Sequence, residues 1–107
     1  MNRRMMLISF RSKLTAKAGA DYDEMAAEME RLARATPGFV EVKAFRADDG
    51  ERLTLVWWKD AATLQGWATN VRHVIAQRMG RERWYEYYKI DVAEVVRESR
   101  FERPRGD

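Results

Sequence analysis

Phe39-Val40-Glu41-Val42-Lys43-Ala44-Phe45-Arg46, then Asp48-Asp49-Gly50, then Leu53-Thr54-Leu55-Val56-Trp57-Trp58 is the stretch that decides the fold. Two alternating runs flank an Asp-Gly turn signal, so they read as a β-hairpin. In the first run Val40, Val42 and Ala44 oppose Phe39, Glu41, Lys43 and Phe45. In the second, Leu53, Leu55 and Trp57 oppose Thr54, Val56 and Trp58. Both faces therefore carry apolar groups. A sheet covered on one side only is polar on the other, so something must cover the second face as well.

Upstream, Thr36-Pro37-Gly38 stops a helix, because Pro37 disfavours a helical residue before it and Gly38 tolerates positive φ. The helix itself shows Tyr22, Met25, Ala26, Met29, Leu32 and Ala33 at spacings of three and four. Asp21 with Glu24 reads as its capping box. Met5–Arg11 reads as a first strand. Downstream, Asp60 is an N-cap for a second helix, whose apolar phase runs through Leu64, Trp67, Ala68, Val71, Val74 and Ile75 to a stop at Met79-Gly80. Trp84–Tyr88 and Ile90–Val96 read as a last, aromatic strand, followed by a charged tail over 98–107.

The order is β-α-β-β-α-β, a ferredoxin-like α+β domain with a four-stranded antiparallel sheet. One such domain fills the 107 residues, with its core over about 5–97. Both helices lie on one face of such a sheet and leave the other bare. Phe39, Phe45, Val56 and Trp58 are the residues expected on that bare face, and a homodimer with facing sheets would bury them.

Composition excludes whole classes of chemistry. The absence of Cys removes disulfides, thiolate nucleophiles, iron–sulfur clusters and cysteine zinc sites. A single His removes multi-histidine metal centres, and no metal site is expected. Twenty basic against 17 acidic residues give a net charge of +3, interspersed outside the tail, which argues against nucleic-acid binding. The apolar run after Arg4 is too short for a signal peptide, and nothing approaches a membrane span. A cytoplasmic protein is the expectation. Ser12 and Ser99 have no neighbouring base in sequence, so hydrolysis has no signal.

The layout, with Thr36-Pro37-Gly38-Phe39, Val56-Trp57-Trp58-Lys59-Asp60, Trp67, His73, Ala76-Gln77, Gly80-Arg81, and Trp84-Tyr85 with Tyr88, resembles the antibiotic biosynthesis monooxygenase family over about residues 5–101. That resemblance implies a dimeric α/β barrel. It implies an activity among cofactor-independent quinol or polyketide monooxygenases, haem-degrading enzymes, or members without known activity. It also implies that Trp67 and His73 line a cavity between sheet and helices, with Thr63 beside them.

The residue types suit oxygenation without a metal or flavin. A deprotonated electron-rich aromatic can reduce dioxygen itself, given a dry aromatic cavity, a proton acceptor and donors that hold the anion. Trp67 offers a stacking ring and His73 a base near neutral pH. Tyr85 and Tyr88 offer hydroxyls, and Arg81 a cation. Each has a plainer reading too. Trp67 lies in the apolar stripe and fits core packing, while His73 falls nearly opposite that stripe on an unbroken helix. The tyrosines fit strand filling, and Arg81 a helix-end position.

The expected function is thus a cofactor-free monooxygenase acting on a small aromatic with dioxygen. The alternatives are a non-catalytic ligand-binding dimer and a haem-binding or haem-degrading protein. The haem-degrading relatives use an Asn on the first strand and an axial His ten residues after the Trp. Here Met5–Arg11 holds no Asn and the tenth residue is Gln77, so a haem would depend on His73 alone.

Overall fold

The computed structural model describes residues 4–77 and 83–105, with the backbone alone for 72–77. Its elements are β1 (Met6–Leu14), α1 (Ala20–Ala35), β2 (Phe39–Arg46), β3 (Arg52–Trp58), α2 (Ala61–Gln77) and β4 (Tyr85–Glu94). The four strands form one antiparallel sheet in the order β2-β3-β1-β4. This is the expected β-α-β-β-α-β arrangement. No described helix is long and apolar enough to cross a membrane.

The hairpin forms where the turn signal stands. Gly50 has φ 91°, the Ala47 N–H donates to the Glu51 carbonyl at 2.8 Å, and Asp49 Oδ1 accepts the Glu51 N–H at 2.9 Å. The face assignment on β2 and β3 differs from the alternation. The register jumps between Phe39↔Trp58 and Glu41↔Trp57, so an extra residue at Val40 bulges out. A bulge reverses the phase on one side of itself. Phe39 therefore joins Val42 on the helix-covered face, where its ring meets Trp58 edge-on at 5.9 Å, while Val40 is exposed.

Val56 and Trp58 also belong to the helix-covered face. They are 3% and 0% exposed in the core with Ile8, Met25, Ala33, Leu64, Trp67 and Val71. Of the four residues expected on the bare face, only Phe45 lies there, opposite Leu53. The bare face is built instead on Leu53, Leu55 and Trp57 of β3, with Leu7 and Ser9 of β1 beside them in register. Glu41, Lys43, Lys89 and Asp91 flank this apolar strip. On the same face Glu51 accepts both Arg11 Nε at 2.9 Å and the Tyr87 hydroxyl at 2.5 Å.

The helix α1 buries Tyr22, Met25 and Ala33, as its spacing dictates. Its start corrects the expected capping box. Gly19 is the N-cap and no side chain caps the helix. Asp21 falls inside the first turn, where its carboxylate still faces the positive end of the dipole. Its oxygens accept the Tyr22 N–H at 2.9 Å and the Trp84 indole N–H at 3.1 Å. Asp60 does cap α2, accepting the Thr63 N–H at 3.0 Å. The strands β1 and β4 are shifted from their expected bounds, because β1 continues to Leu14 to pair with Tyr85 and the residues after it. The helix stop at Met79-Gly80 lies outside the described residues.

Candidate functional site

Between the sheet and the two helices lies a cavity of about 820 Å³. Ile8 and Phe10 of β1, Val56 of β3 and Ile90 of β4 form its floor. Tyr22, Ala26 and Met29 of α1 form one wall, and Leu64, Trp67, Ala68 and Val71 of α2 the other. The sequence makes this space by placing alanines at helix positions 26, 33 and 68, where larger side chains would meet the sheet. The size suits a drug-sized or smaller organic ligand.

Trp67 and Tyr85, both expected at a site, line this cavity and are 7% and 6% exposed. The Trp67 ring lies 5.3 Å from that of Trp58, tilted by 36°. The Tyr85 ring meets Phe10 at 5.8 Å and Tyr22 at 6.0 Å, both edge-on. The indole N–H groups of Trp58 and Trp67 and the Tyr85 hydroxyl are buried without a hydrogen-bond partner among the described residues. A buried donor left unpaired costs about 1–3 kcal/mol, so this part of the protein holds unmet donor capacity. Burial pushes the Tyr85 phenol well above its ordinary range, and the neighbouring Tyr22 hydroxyl adds to the effect. Tyr85 is therefore a neutral O–H donor and not a base.

The other expected residues lie elsewhere. Tyr88 stacks on Phe10 at 5.6 Å and lines a smaller recess with Tyr85, Glu86 and Tyr87. Thr63 serves the start of α2, its hydroxyl donating to the Asp60 carbonyl at 3.1 Å. It also sits against Gly38, whose φ is +95° and where a Cβ would come within 2.5 Å of the Thr63 side chain. His73 is carried by the continuous backbone of α2, and its side chain lies outside the described residues. Arg81 lies outside them altogether.

Most of the cavity lining was not expected at a site, Ser12, Tyr22, Arg46 and Arg52 among it. Arg52 opens β3, and its guanidinium lies 5.7 Å over the Tyr22 ring, a cation–π arrangement that holds it in place. In the sequence Tyr22 reads as helix packing, and Arg52 carries no signal. The cross-strand partner Ser12↔Arg52 would have linked them, but only with the β1–β3 register in hand. Among the described residues, no group of three or more His, Cys, Asp or Glu could hold a metal ion.

No family model matches the chain. The Bacillus subtilis protein YqjZ, itself uncharacterised, is 32% identical over 96 residues, spanning 90% of this chain and 84% of YqjZ. Among solved structures, Rv0793 of Mycobacterium tuberculosis superposes with a TM-score of 0.73 at 15% identity, covering 90% of this chain and 99% of that one. SnoaB of Streptomyces nogalater, a cofactor-independent oxygenase, gives 0.70 at 13% identity over 89% of this chain and 96% of its own. A candidate antibiotic biosynthesis monooxygenase from Caulobacter crescentus gives 0.71 at 14% identity, over 89% and 92% of the two chains. The chain belongs to the family of Bacillus subtilis YqjZ, and its fold is that of the antibiotic biosynthesis monooxygenases.

Proposed function

We propose that the protein is a cofactor-independent monooxygenase that oxidises a small electron-rich aromatic with dioxygen, working as a cytoplasmic homodimer. The observation that carries this reading is the aromatic-walled cavity of about 820 Å³ between sheet and helices. The fold shared with SnoaB, a cofactor-independent oxygenase, supports it.

The chemistry needs nothing beyond substrate and dioxygen. A phenolic hydroxyl loses its proton, and the resulting anion gives electrons to dioxygen. A bond forms from oxygen to the activated ring carbon, giving a peroxide. Loss of that carbon's hydrogen with cleavage of the O–O bond leaves a carbonyl and releases the second oxygen as water. Trp67 packs against the ring, and the Tyr85 hydroxyl donates to a substrate oxygen. We assign proton acceptance to His73. The unbroken α2 sets its backbone position half a turn around from cavity-lining Leu64, which opposes this role, so the assignment stands only if His73→Ala loses dioxygen uptake. Thr63, Tyr88 and Arg81 are secondary to this scheme, the first two being off the cavity wall.

Dioxygen uptake with a panel of quinols and polyphenols in metal-free buffer should be saturable, and should fall at least tenfold in Trp67→Ala and His73→Ala. Absence of uptake across the panel would overturn the oxygenase reading. A second reading, ligand binding without turnover, draws on one observation. The described wall offers no free base, since Glu30 already accepts from Arg34 at 3.3 Å and the Tyr85 phenol is held neutral.

The homodimer rests on the sheet face away from the helices, where Leu53, Leu55 and Trp57, half-buried, and exposed Phe45 make an apolar strip. Light scattering should report twice the chain mass. A monomer at micromolar concentration would overturn it.

A further inference from the structure

Three tryptophans belong to the core, and their indole N–H groups meet different surroundings. Those of Trp58 and Trp67 are buried without a hydrogen-bond partner among the described residues. That of Trp84, a residue 1% exposed, donates to Asp21 Oδ2 at 3.1 Å. The Asp21 side chain is itself 42% exposed, so its carboxylate joins a buried ring to solvent. The difference is chemical. An indole that loses one electron becomes a cation and a far stronger acid than before. In an apolar core that charge is costly unless it is paired or neutralised. The cations of Trp58 and Trp67 would find no acceptor for the proton. The cation of Trp84 would face a carboxylate along its own N–H bond, which both lowers the cost of the charge and takes the proton. Arg83 approaches the same oxygen at 3.7 Å, but its side chain is 57% exposed and water screens it.

Trp84 is also in ring contact with the cavity wall without being part of it. The Tyr22 ring meets that of Trp84 at 5.9 Å and that of Tyr85 at 6.0 Å, both edge-on. Tyr22 and Tyr85 line the cavity, whereas Trp84 stands one ring behind them. Neither tyrosine is a resting place for a missing electron. The Arg52 guanidinium, 5.7 Å over the Tyr22 ring, opposes positive charge there. The Tyr85 hydroxyl has no acceptor for its proton among the described residues. Charge therefore falls away in one direction, from a cation above Tyr22 to an anion beside Trp84.

We propose that Trp84 is a redox site that drains stray one-electron oxidants from the cavity, with the Tyr22 ring as bridge and Asp21 as proton acceptor. The inference rests on the oxygenase reading for its oxidant, an organic peroxyl radical left by incomplete oxygenation. The peroxyl radical takes one electron from the Trp84 indole through the Tyr22 ring and becomes a peroxide anion. The Trp84 N–H bond breaks, and its proton passes to the Asp21 carboxylate. A neutral indolyl radical remains on Trp84, one electron and one proton short. Oxidation thus comes to rest outside the cavity, and Trp67 on its wall is spared.

The test supplies the oxidant from outside and needs no turnover. Azide radicals from pulse radiolysis oxidise tryptophans of the full chain, and visible absorption separates a neutral indolyl radical from its protonated cation. The wild type should settle into a long-lived neutral indolyl radical, and Trp57→Phe should do the same. Trp84→Phe should lose at least tenfold of that signal, with tyrosyl radicals in its place. Asp21→Asn keeps Trp84 and an acceptor for its N–H but removes the base, so the neutral radical should form at least tenfold more slowly from a persisting cation. An indolyl radical of unchanged yield in Trp84→Phe overturns the proposal, as does one formed at the wild-type rate in Asp21→Asn. Should circular dichroism show Trp84→Phe to be unfolded, Asp21→Asn decides alone. A radical that rests on Trp84 in a protein without dioxygen uptake upholds the redox site and removes only the oxygenase as its source of oxidant.

Discussion

The indole N–H of Trp84 donates to Asp21 Oδ2 at 3.1 Å, joining the first turn of α1 to the residue before β4 across 63 positions of sequence. Arg83 approaches the same oxygen at 3.7 Å. The donated indole hydrogen is the main reason the Asp21 carboxyl is held below its ordinary value, opposed by partial burial and helped by the Tyr22 N–H. A carboxylate whose folded value is depressed stabilises fully above the unfolded value of about 3.9, and that contribution is lost as pH falls through the folded one. Asp21→Asn keeps an acceptor and removes the titration. The difference in Tm between wild type and Asp21→Asn should be constant from neutral pH to about 5 and vanish in stronger acid. A difference independent of pH would show that the carboxylate charge contributes nothing.

Gly38 and Gly50 both have positive φ, at 95° and 91°, but only Gly38 is crowded. Gly50→Ala meets open space and should cost only the left-handed strain, about 1–2 kcal/mol. Gly38→Ala adds a collision with Thr63 and should cost more than Gly50→Ala in urea titrations. Gly38→Ala combined with Thr63→Gly should recover part of the excess, once the loss from Thr63→Gly alone is allowed for.

Adjacent tryptophans on β3 should behave differently. Trp58 is fully buried, so Trp58→Ala should cost about 3–5 kcal/mol. Trp57 faces the uncovered strip, and Trp57→Ala should shift light scattering toward monomer with a smaller loss of intrinsic stability. An unchanged mass for Trp57→Ala, Leu55→Lys and Phe45→Lys would remove that face from the interface.

Filling the cavity should separate binding from folding. Ala68 lies on the wall beside Trp67. Ala68→Phe places a ring in empty space, so it should keep the circular dichroism of the wild type. It should lower dioxygen uptake with the quinol and polyphenol panel at least tenfold. Unchanged uptake would place the substrate elsewhere.

What the sequence revealed depended on how local each signal is. The stripe of α1 and the Asp-Gly turn act over a few residues, and both stand in the structure as read. The bulge at Val40 is invisible to alternation, because one extra residue preserves the pattern on each side while reversing its phase. For that reason alternation puts Phe39 on the wrong face, whereas the place of Val56 and Trp58 depends on which apolar face the helices cover. Asp21 with Glu24 reads as a capping box, whereas α1 starts one residue earlier at Gly19 and the carboxylate's indole partner Trp84 is remote in sequence. Trp67 is legible as a cavity residue only through the family resemblance, and Tyr85 only as one of several hydroxyl-bearing aromatics on the last strand. Arg52 was not, since an arginine opening a strand acquires meaning only from Ser12, Arg46 and Tyr22, each on a different element.

Strand β1 precedes the other strands, and its second edge is the last to be paired. It occupies the interior of the sheet between β3 and β4, and its ladder with β4 closes with the Val95 N–H donating to Met5 at 2.9 Å. During synthesis the β2–β3 hairpin can form as it emerges, yet one edge of β1 stays open until β4 has left the ribosome. Non-local pairing of this kind slows folding, and an unpaired edge is open to association with other chains. Chains truncated before Tyr85 should therefore accumulate in aggregates, and the window of greatest hazard for this small protein lies in its translation.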